Sequence, residues 1–130
     1  MHRCNLFGLK RYEETIMKGN QFLAQYPELS NEDNFTIRMN IGMAMYRSQY
    51  YDDAVSEFKR VLALNDIYIS SVAQMAIGDC SWEQKKYDAA LEAFATAKEL
   101  ASLNSDNKII EIANQKIKNI KKIQADNIKK

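Results

Sequence analysis

Few side chains in this sequence could perform covalent catalysis, and they stand far apart. The single histidine, His2, lies at the amino-terminal end, while Cys80 stands between Asp79 and Ser81 in a segment of helical spacing. A thiol or hydroxyl nucleophile needs a base within hydrogen-bond reach, and we expect a residue at a chain end to fray. The four glycines are scattered and form no phosphate-binding loop. We therefore predict a protein that is not an enzyme and uses no cofactor, with Cys80 as a small buried residue.

Metal binding and nucleic-acid binding each have one candidate segment. Asp52, Asp53 and Glu57 could supply carboxylate ligands, but acids at the start of a helix are expected from the helix dipole alone, so we predict no metal site. Residues 105–130 contain seven lysines against three acids, with four of the lysines between positions 116 and 122. This segment has no aromatic residue to stack on bases. We interpret it as a solvated outer face and keep binding to nucleic acid or another acidic surface as an alternative.

An internal repeat explains most of the remaining pattern, because residues 39–64 recur as residues 75–100, 36 positions later. In each copy apolar residues recur at spacings of three and four over two segments joined by a short turn, which predicts a pair of helices. The identical pairs are Met39/Met75, Ile41/Ile77, Gly42/Gly78, Tyr51/Tyr87, Asp52/Asp88, Ala54/Ala90, Phe58/Phe94 and Leu64/Leu100. With one proline and four glycines in 130 residues, we predict an all-α array of repeated helix pairs.

A glycine interrupts the first helix of each copy at the same position, Gly42 and Gly78. Glycine inside a helix costs about 1 kcal/mol relative to alanine, so its repetition indicates close packing. We expect the second helix to approach the first at this glycine. In the first copy Ala54 would complete the narrow contact, and Phe58, one turn later, would fill the wider part of the gap.

The order of these residues is a glycine, an aromatic residue nine positions later, an alanine three further on and a phenylalanine four beyond it. This order resembles the signature of the tetratricopeptide repeat (TPR) family. NIGMAMYRSQYYDDAVSEFKRVLALND and AIGDCSWEQKKYDAALEAFATAKEL carry it, and the resemblance covers residues 35–104. The tryptophan usual near the start of the first helix is Arg38 or Gln74 here, and the closing proline is Asp66 or Ser102. The resemblance implies a TPR-type α-solenoid of antiparallel helix hairpins.

The segment before the two copies extends the resemblance. RYEETIMKGNQFLAQYP aligns with a second helix, so residues 1–29 are expected to be a partial repeat whose first helix, at Met1–Phe7, is almost missing. The apolar side chains of Ile16, Phe22 and Leu23 would then lack cover. We expect either a fragment of a longer array or self-association through this incomplete repeat.

The segment after the two copies predicts a last helix. Asn104–Asp106 offer a cap, and an apolar stripe then runs to about Asn127, with a lysine-rich face opposite. The stripe consists of Ile110, Ala113, Ile117 and Ile120. This helix is similar to the solvating helix that ends many TPR arrays. Ser30 is expected to cap the first complete repeat. The expected organisation is a single TPR domain over 1–130, made of a partial repeat (1–29), two repeats (35–68 and 71–104) and a capping helix (105–128).

In TPR proteins the first helices of successive repeats line a concave groove that holds a peptide. If this resemblance holds, the groove residues are Met39, Met43, Tyr46, Arg47, Met75, Asp79 and Trp82. Methionine adapts its shape to many partners, and Tyr and Trp are frequent binding hot spots. We expect the ligand to be an extended or helical segment with apolar anchors and one basic residue opposite Asp79. The alternative for Met39 and Met75 is packing between the first helices.

The resemblance thus implies a scaffold, adaptor or chaperone-like module that binds another protein or peptide, with no small-molecule substrate. It does not imply a clamp for the acidic tails of heat-shock chaperones, which requires converging cations. Asn40 matches one clamp position, but Val72 and Ala76 stand where Lys and Arg are needed.

The cellular setting is predicted only coarsely. LAQYPEL and the long repeat spacing also look like bacterial envelope-associated or secretion-associated TPR adaptors, which is an alternative setting for the same activity. No apolar run approaches the length that crosses a bilayer, so membrane insertion is not expected. The expected location is cytoplasmic, or periplasmic if a signal sequence has been removed.

Overall fold

Six α-helices make up most of the computed structural model, which describes the backbone of residues 6–128 and the side chains of residues 8–128. They are α1 (Leu6–Gln25), α2 (Asn31–Arg47), α3 (Tyr51–Leu62), α4 (Ile67–Glu83), α5 (Tyr87–Leu103) and α6 (Asn107–Ile128). No strand occurs over residues 6–128, which confirms the predicted all-α class. Residues 1–5, with His2, Cys4 and most of the expected helix remnant, lie outside the described residues.

The chain divides into two compact units, residues 1–64 and residues 65–130. The first unit contains α1, α2 and α3, and α2 contacts both of the other helices. The second unit contains α4, α5 and α6, in which α5 contacts both neighbours and α6 also reaches α4. Each unit therefore holds one copy of the repeated helix pair together with one further helix.

The repeated glycines make room for the repeated phenylalanines. A Cβ atom built on Gly42 would lie 2.8 Å from Phe58 Cζ, and one built on Gly78 would lie 2.8 Å from Phe94 Cζ. Both rings are fully buried. Close approach at the glycines is thus observed, but the nearest atoms belong to the ring. The phenylalanine itself, and not the alanine one turn earlier, occupies the narrow part of the contact.

A Gly78→Ala substitution is therefore expected to destabilise the second unit by about 1–3 kcal/mol, although alanine is the better helix former. The new methyl group would lie 2.6 Å from Phe94 Cδ1, and a buried ring cannot move aside without strain. Gly19→Ala is the comparison variant, because its methyl group would meet Cγ1 and Cδ1 of Ile41 at 2.6 and 2.7 Å, and this aliphatic branch, unlike a ring, can change rotamer. Urea titrations should show the larger loss for Gly78→Ala. Equal losses for the two variants would contradict this interpretation of the repeated glycines.

Helix α1 in the first unit is only partly covered. Ile16 and Leu23 are half-buried, so for these two the expected lack of cover is not seen. Phe22 is 42% exposed and Met17 is 52% exposed. The Phe22 ring lies against Tyr26, with 4.6 Å between centroids. The exposed apolar side chains are Met17 and Phe22 of α1 and Tyr26 just beyond its end, and of these only Phe22 was expected to lack cover.

Helix α6 packs its predicted apolar stripe against the other helices of the second unit, α4 and α5. Ala113 and Ile120 are fully buried and Ile110 and Ile117 are half-buried. The buried core of the second unit includes Ile120 together with Ala90 and Phe94 of α5. The described part of the helix extends to Ile128, the last residue of the predicted segment 105–128, and its apolar stripe lies against the core of this unit.

Polar side chains fix the starts of α2, α4 and α6. Ser30 Oγ accepts a hydrogen bond from the backbone N–H of Asp33 at 3.1 Å, Asp66 Oδ1 accepts one from Ile69 at 3.0 Å, and Asp106 Oδ1 accepts one from Ile109 at 3.2 Å. The expected caps at Ser30 and at Asn104–Asp106 are confirmed. Because these caps satisfy the first backbone donors, α2 and α4 each begin four residues before the predicted repeat boundaries at 35 and 71.

Arg38, which stands where the repeat pattern usually has a tryptophan, forms a buried ion pair in the first unit. Arg38 Nη1 donates to Glu57 Oε2 at 2.8 Å, and Arg60 Nη1 donates to Glu57 Oε1 at 3.0 Å. Glu57 is 2% exposed, so its two oxygens are removed from water but paired. At the equivalent positions the second repeat has Gln74 and the buried Ala93. The same two positions thus hold a charged pair in the first repeat and an uncharged pair in the second.

Candidate peptide-binding faces

The predicted groove residues of the first unit lie on one side of α2. Met39, Met43 and Tyr46 are half-buried and Arg47 is exposed. Their spacing places them within about 100° of the helix circumference. Tyr46 meets Tyr51 of α3 edge to face, with 5.6 Å between ring centroids. This stripe, Met39, Met43, Tyr46 and Arg47, is called the α2 face below.

Other sides of α2 form the closest contacts within the first unit. Ile37 and Ile41 are the side chains nearest to Gly19 of α1, and Gly42 receives the ring of Phe58. Both isoleucines lie roughly opposite the α2 face by helical spacing. The α2 face is therefore separate from the closest contact with α1, whereas its Tyr46 lies one turn from Gly42 and meets α3 through Tyr51.

The predicted residues of the second unit, Met75, Asp79 and Trp82, form the equivalent α4 face. Met75 and Trp82 are half-buried and pack against the cluster of Ala90, Phe94 and Ile120. Trp82 also meets Tyr87 of α5 edge to face, with 5.8 Å between centroids. Part of the α4 face thus lies against α5 and α6.

Asp79 forms an ion pair with Lys116 of α6. The two side chains are 35% and 34% exposed, and Lys116 Nζ lies 5.4 Å from the centroid of the Phe94 ring. Burial raises the pKa of the Asp79 carboxyl, because desolvation outweighs the stabilising charge and hydrogen bond of Lys116, and nearby Glu83 adds to the rise. The α4 face therefore contains a carboxylate that already has a cationic partner from another helix.

The raised pKa of Asp79 predicts a specific pH dependence of stability. The folded chain holds this proton more tightly than the unfolded chain, whose carboxyl has the ordinary value of 3.8. The stability that protonated Asp79 contributes is therefore complete below pH 3.8 and is lost as the pH rises through the higher folded pKa. The free energy of unfolding of the parent chain should accordingly fall relative to Asp79→Asn across this window.

Urea titrations of the parent chain and Asp79→Asn at a series of pH values would measure this difference. Asp126→Asn, which removes an exposed carboxylate of α6, is the matched control. A difference between parent and Asp79→Asn that stays constant with pH, or changes in the parent's favour as the pH rises, would contradict the assigned pKa direction.

Reasoning from the sequence missed the polar contacts that α6 makes with α4 and α5. Lys116 was assigned to a solvated outer face, and Gln124, whose Nε2 donates to Asp88 Oδ1 at 2.9 Å, was not singled out. The sequence feature that could have indicated this contact is the position of Lys116 immediately before Ile117. At that position the aliphatic part of the Lys116 side chain lies beside the apolar stripe. Lys118, Lys121 and Lys122 are exposed, as predicted.

Of the residues considered for catalysis or metal binding, Cys80 and Glu57 are both buried. Over residues 8–128 no group of three or more His, Cys, Asp or Glu side chains could hold a metal ion. Cys80 is fully buried, as predicted, and Glu57 of the acidic cluster is engaged by two arginines. None of the described helices combines the length and apolar character needed to span a membrane.

Comparison with known proteins does not assign the chain to a family. No model of a known protein family matches the chain, and no curated protein sequence matches it significantly.

Proposed function

We propose that this protein is a TPR-type protein-interaction module, a scaffold or adaptor that binds a peptide or helical segment of a partner protein. The α2 face and the α4 face are the proposed binding surfaces. The supporting observation is that two first helices, 36 residues apart, present partly exposed methionine and aromatic side chains at matching positions, Met39, Met43 and Tyr46 on one and Met75 and Trp82 on the other.

The chemistry of these faces suits a polypeptide ligand. Methionine side chains adapt to irregular apolar surfaces, and tyrosine and tryptophan contribute large contact areas with a polar tip for a hydrogen bond. Asp79 adds a carboxylate that would select a basic residue in the ligand. The proposal covers a cytoplasmic or a periplasmic setting, because recognition of this kind does not depend on the compartment.

A peptide-array screen with the full chain would test this function. Met43→Glu and Trp82→Ala should each weaken the hits by about tenfold or more, as expected when a central contact is lost. Met17→Glu is the matched control, because Met17 is 52% exposed on α1 and lies outside both faces. Circular dichroism would establish that each variant is folded. Hits that bind folded Met43→Glu and Trp82→Ala as well as the parent would rule out these faces.

The second candidate function uses the exposed lysines of α6, Lys118, Lys121 and Lys122. These side chains could bind the phosphates of a nucleic acid or an acidic membrane surface. Deleting α6 would not test this, because Ile120 is part of the core of the second unit. A Lys118→Glu/Lys122→Glu double variant would test it, with salt-dependent binding to a phosphate resin as the readout. Unchanged elution of the double variant would exclude this function.

A further inference from the structure

Helix α6 begins in the same way as α4, 40 residues later. Asn65 and Ser105 have left-handed backbone conformations, with φ of 59° and 55°. The next residue in each case, Asp66 or Asp106, caps the helix. An alignment at this offset also pairs Ala73 with Ala113 and Ile77 with Ile117. Helix α6 therefore has the start and the apolar spacing of a first helix.

Unlike α4, helix α6 uses only one of its sides for packing. The residue aligned with Gly78 is Lys118, which is exposed. A lysine there blocks the close approach that a following helix would need, because Gly78 is the point at which Phe94 enters. In the second unit α6 thus contacts α4 and α5 through its apolar stripe, while the opposite face is polar.

The contacting side of α6 has a defined chemical pattern. A small residue, Ala113, is followed by Lys116, then by Ile117 and Ile120, and Gln124 completes the series. Ala113 and Ile120 are fully buried, Lys116 pairs with Asp79 beside the Phe94 ring, and Gln124 donates to Asp88. One basic residue flanked by apolar anchors is the ligand expected for Asp79, and here the same chain supplies it.

We propose that the α4–α5 surface binds amphipathic helices of the α6 pattern from partner proteins, and that α6 is the internal occupant with which these helices exchange. The recognised helix carries a small residue, then a lysine three positions later, followed by branched apolar residues one and four positions after that lysine. This inference rests on the proposed function and names the class of partner. The charge complementarity between Asp79 and Lys116, both about one-third exposed, selects the lysine.

Because α6 already covers the α4–α5 surface, an external helix must compete with it. Only Asn104–Asp106 separate α5 from α6, so the effective concentration of α6 at its own site is on the order of millimolar or higher. The parent chain should therefore bind an external helix weakly. A substitution that weakens α6 at its site without altering α4 or α5 should raise the affinity for an external helix.

The test uses the full chain and a fluorescent synthetic peptide of residues 107–128. Lys116→Glu in the chain places two carboxylates together, so fluorescence anisotropy should show the parent-sequence peptide binding this variant about tenfold or more tighter than it binds the parent chain. A chain with Asp79→Lys should prefer a peptide that carries Lys116→Glu. Lys118→Glu is the matched control in the chain, because it makes the same charge change on the exposed side and should bind like the parent.

A folded Lys116→Glu chain that binds the peptide no better than the parent would overturn the proposal. Hydrogen exchange of the parent chain gives a second test that needs no variant. Amides of residues 107–128 should exchange through an opening that leaves α4 and α5 protected. Exchange of α6 only together with α4 and α5 would also overturn the proposal.

These outcomes can be separated from failure of the proposed function. If array hits respond to Met43→Glu while the α6 peptide never binds, the protein is an interaction module but α6 is a fixed part of its second unit. If no array hit depends on either face, the proposed function itself falls.

Discussion

Phe94→Ala is expected to lower the free energy of unfolding by about 3–5 kcal/mol. The Phe94 ring is fully buried, enters the space at Gly78, and forms one core cluster with Ala90 and Ile120. Its removal takes away the apolar burial of the ring and leaves a cavity between α4 and α5 that two helices fixed by other contacts cannot close. Against a total stability of about 5–15 kcal/mol for a small domain, this loss is large enough to unfold the second unit.

Trp82 provides the measurement, because it is the single tryptophan of the chain and packs against this cluster. Urea unfolding of Phe94→Ala should show an early transition in Trp82 fluorescence. Phe22→Ala is the matched control, since Phe22 is 42% exposed on α1, and it should leave the Trp82 transition nearly unchanged. A Phe94→Ala chain as stable as Phe22→Ala would show that the glycine–phenylalanine contact does not hold the repeat together.

Arg38→Gln is expected to cost about 2–3 kcal/mol, because it leaves the buried carboxylate of Glu57 with one cationic partner instead of two. The remaining partner, Arg60, has a side chain that is 60% exposed. The loss should therefore be larger than that of Arg60→Gln, for which about 1 kcal/mol or less is expected from an exposed ion pair. Urea titrations at neutral pH would measure both.

The second repeat suggests how the loss can be reversed. Arg38→Gln/Glu57→Ala reproduces the Gln74 and Ala93 pair at the equivalent positions. Because no buried charge is then left unpaired, the double variant should recover to within about 1 kcal/mol of the parent. A double variant that is no more stable than Arg38→Gln alone would show that the uncharged pair of the second repeat cannot replace the ion pair of the first.

The parts of the fold that follow from local chemistry could be predicted from the sequence. The spacing of apolar residues identified the repeated helix pairs, Ser30 and Asp106 identified helix starts, and the shared glycines identified close packing. Helix α4 begins four residues before the predicted repeat boundary at 71, because Asp66, which the repeat pattern aligns with the end of the preceding repeat, caps this helix.

Contacts between residues far apart in sequence were harder to predict. Arg38 was noted only as a departure from the repeat pattern, since nothing local indicates that Glu57, 19 residues away, is its partner. The pairing of Asp79 with Lys116, 37 residues apart, depends on how α6 lies against α4, and single-helix periodicity does not determine that. A lysine at the edge of an apolar stripe is equally compatible with solvent and with a buried carboxylate.

The most direct measurement of the proposed binding faces is a titration of the full chain, labelled with ¹³C at the methionine methyl groups, with a peptide from the array. The chain has six methionines, and the five within the described residues lie on different surfaces. The methyl signals of Met39, Met43 and Met75 should shift on binding, while those of Met17 on α1 and Met45, on another side of α2, should stay in place. Binding that shifts Met17 or Met45 and leaves Met39, Met43 and Met75 unchanged would contradict a peptide site on these faces.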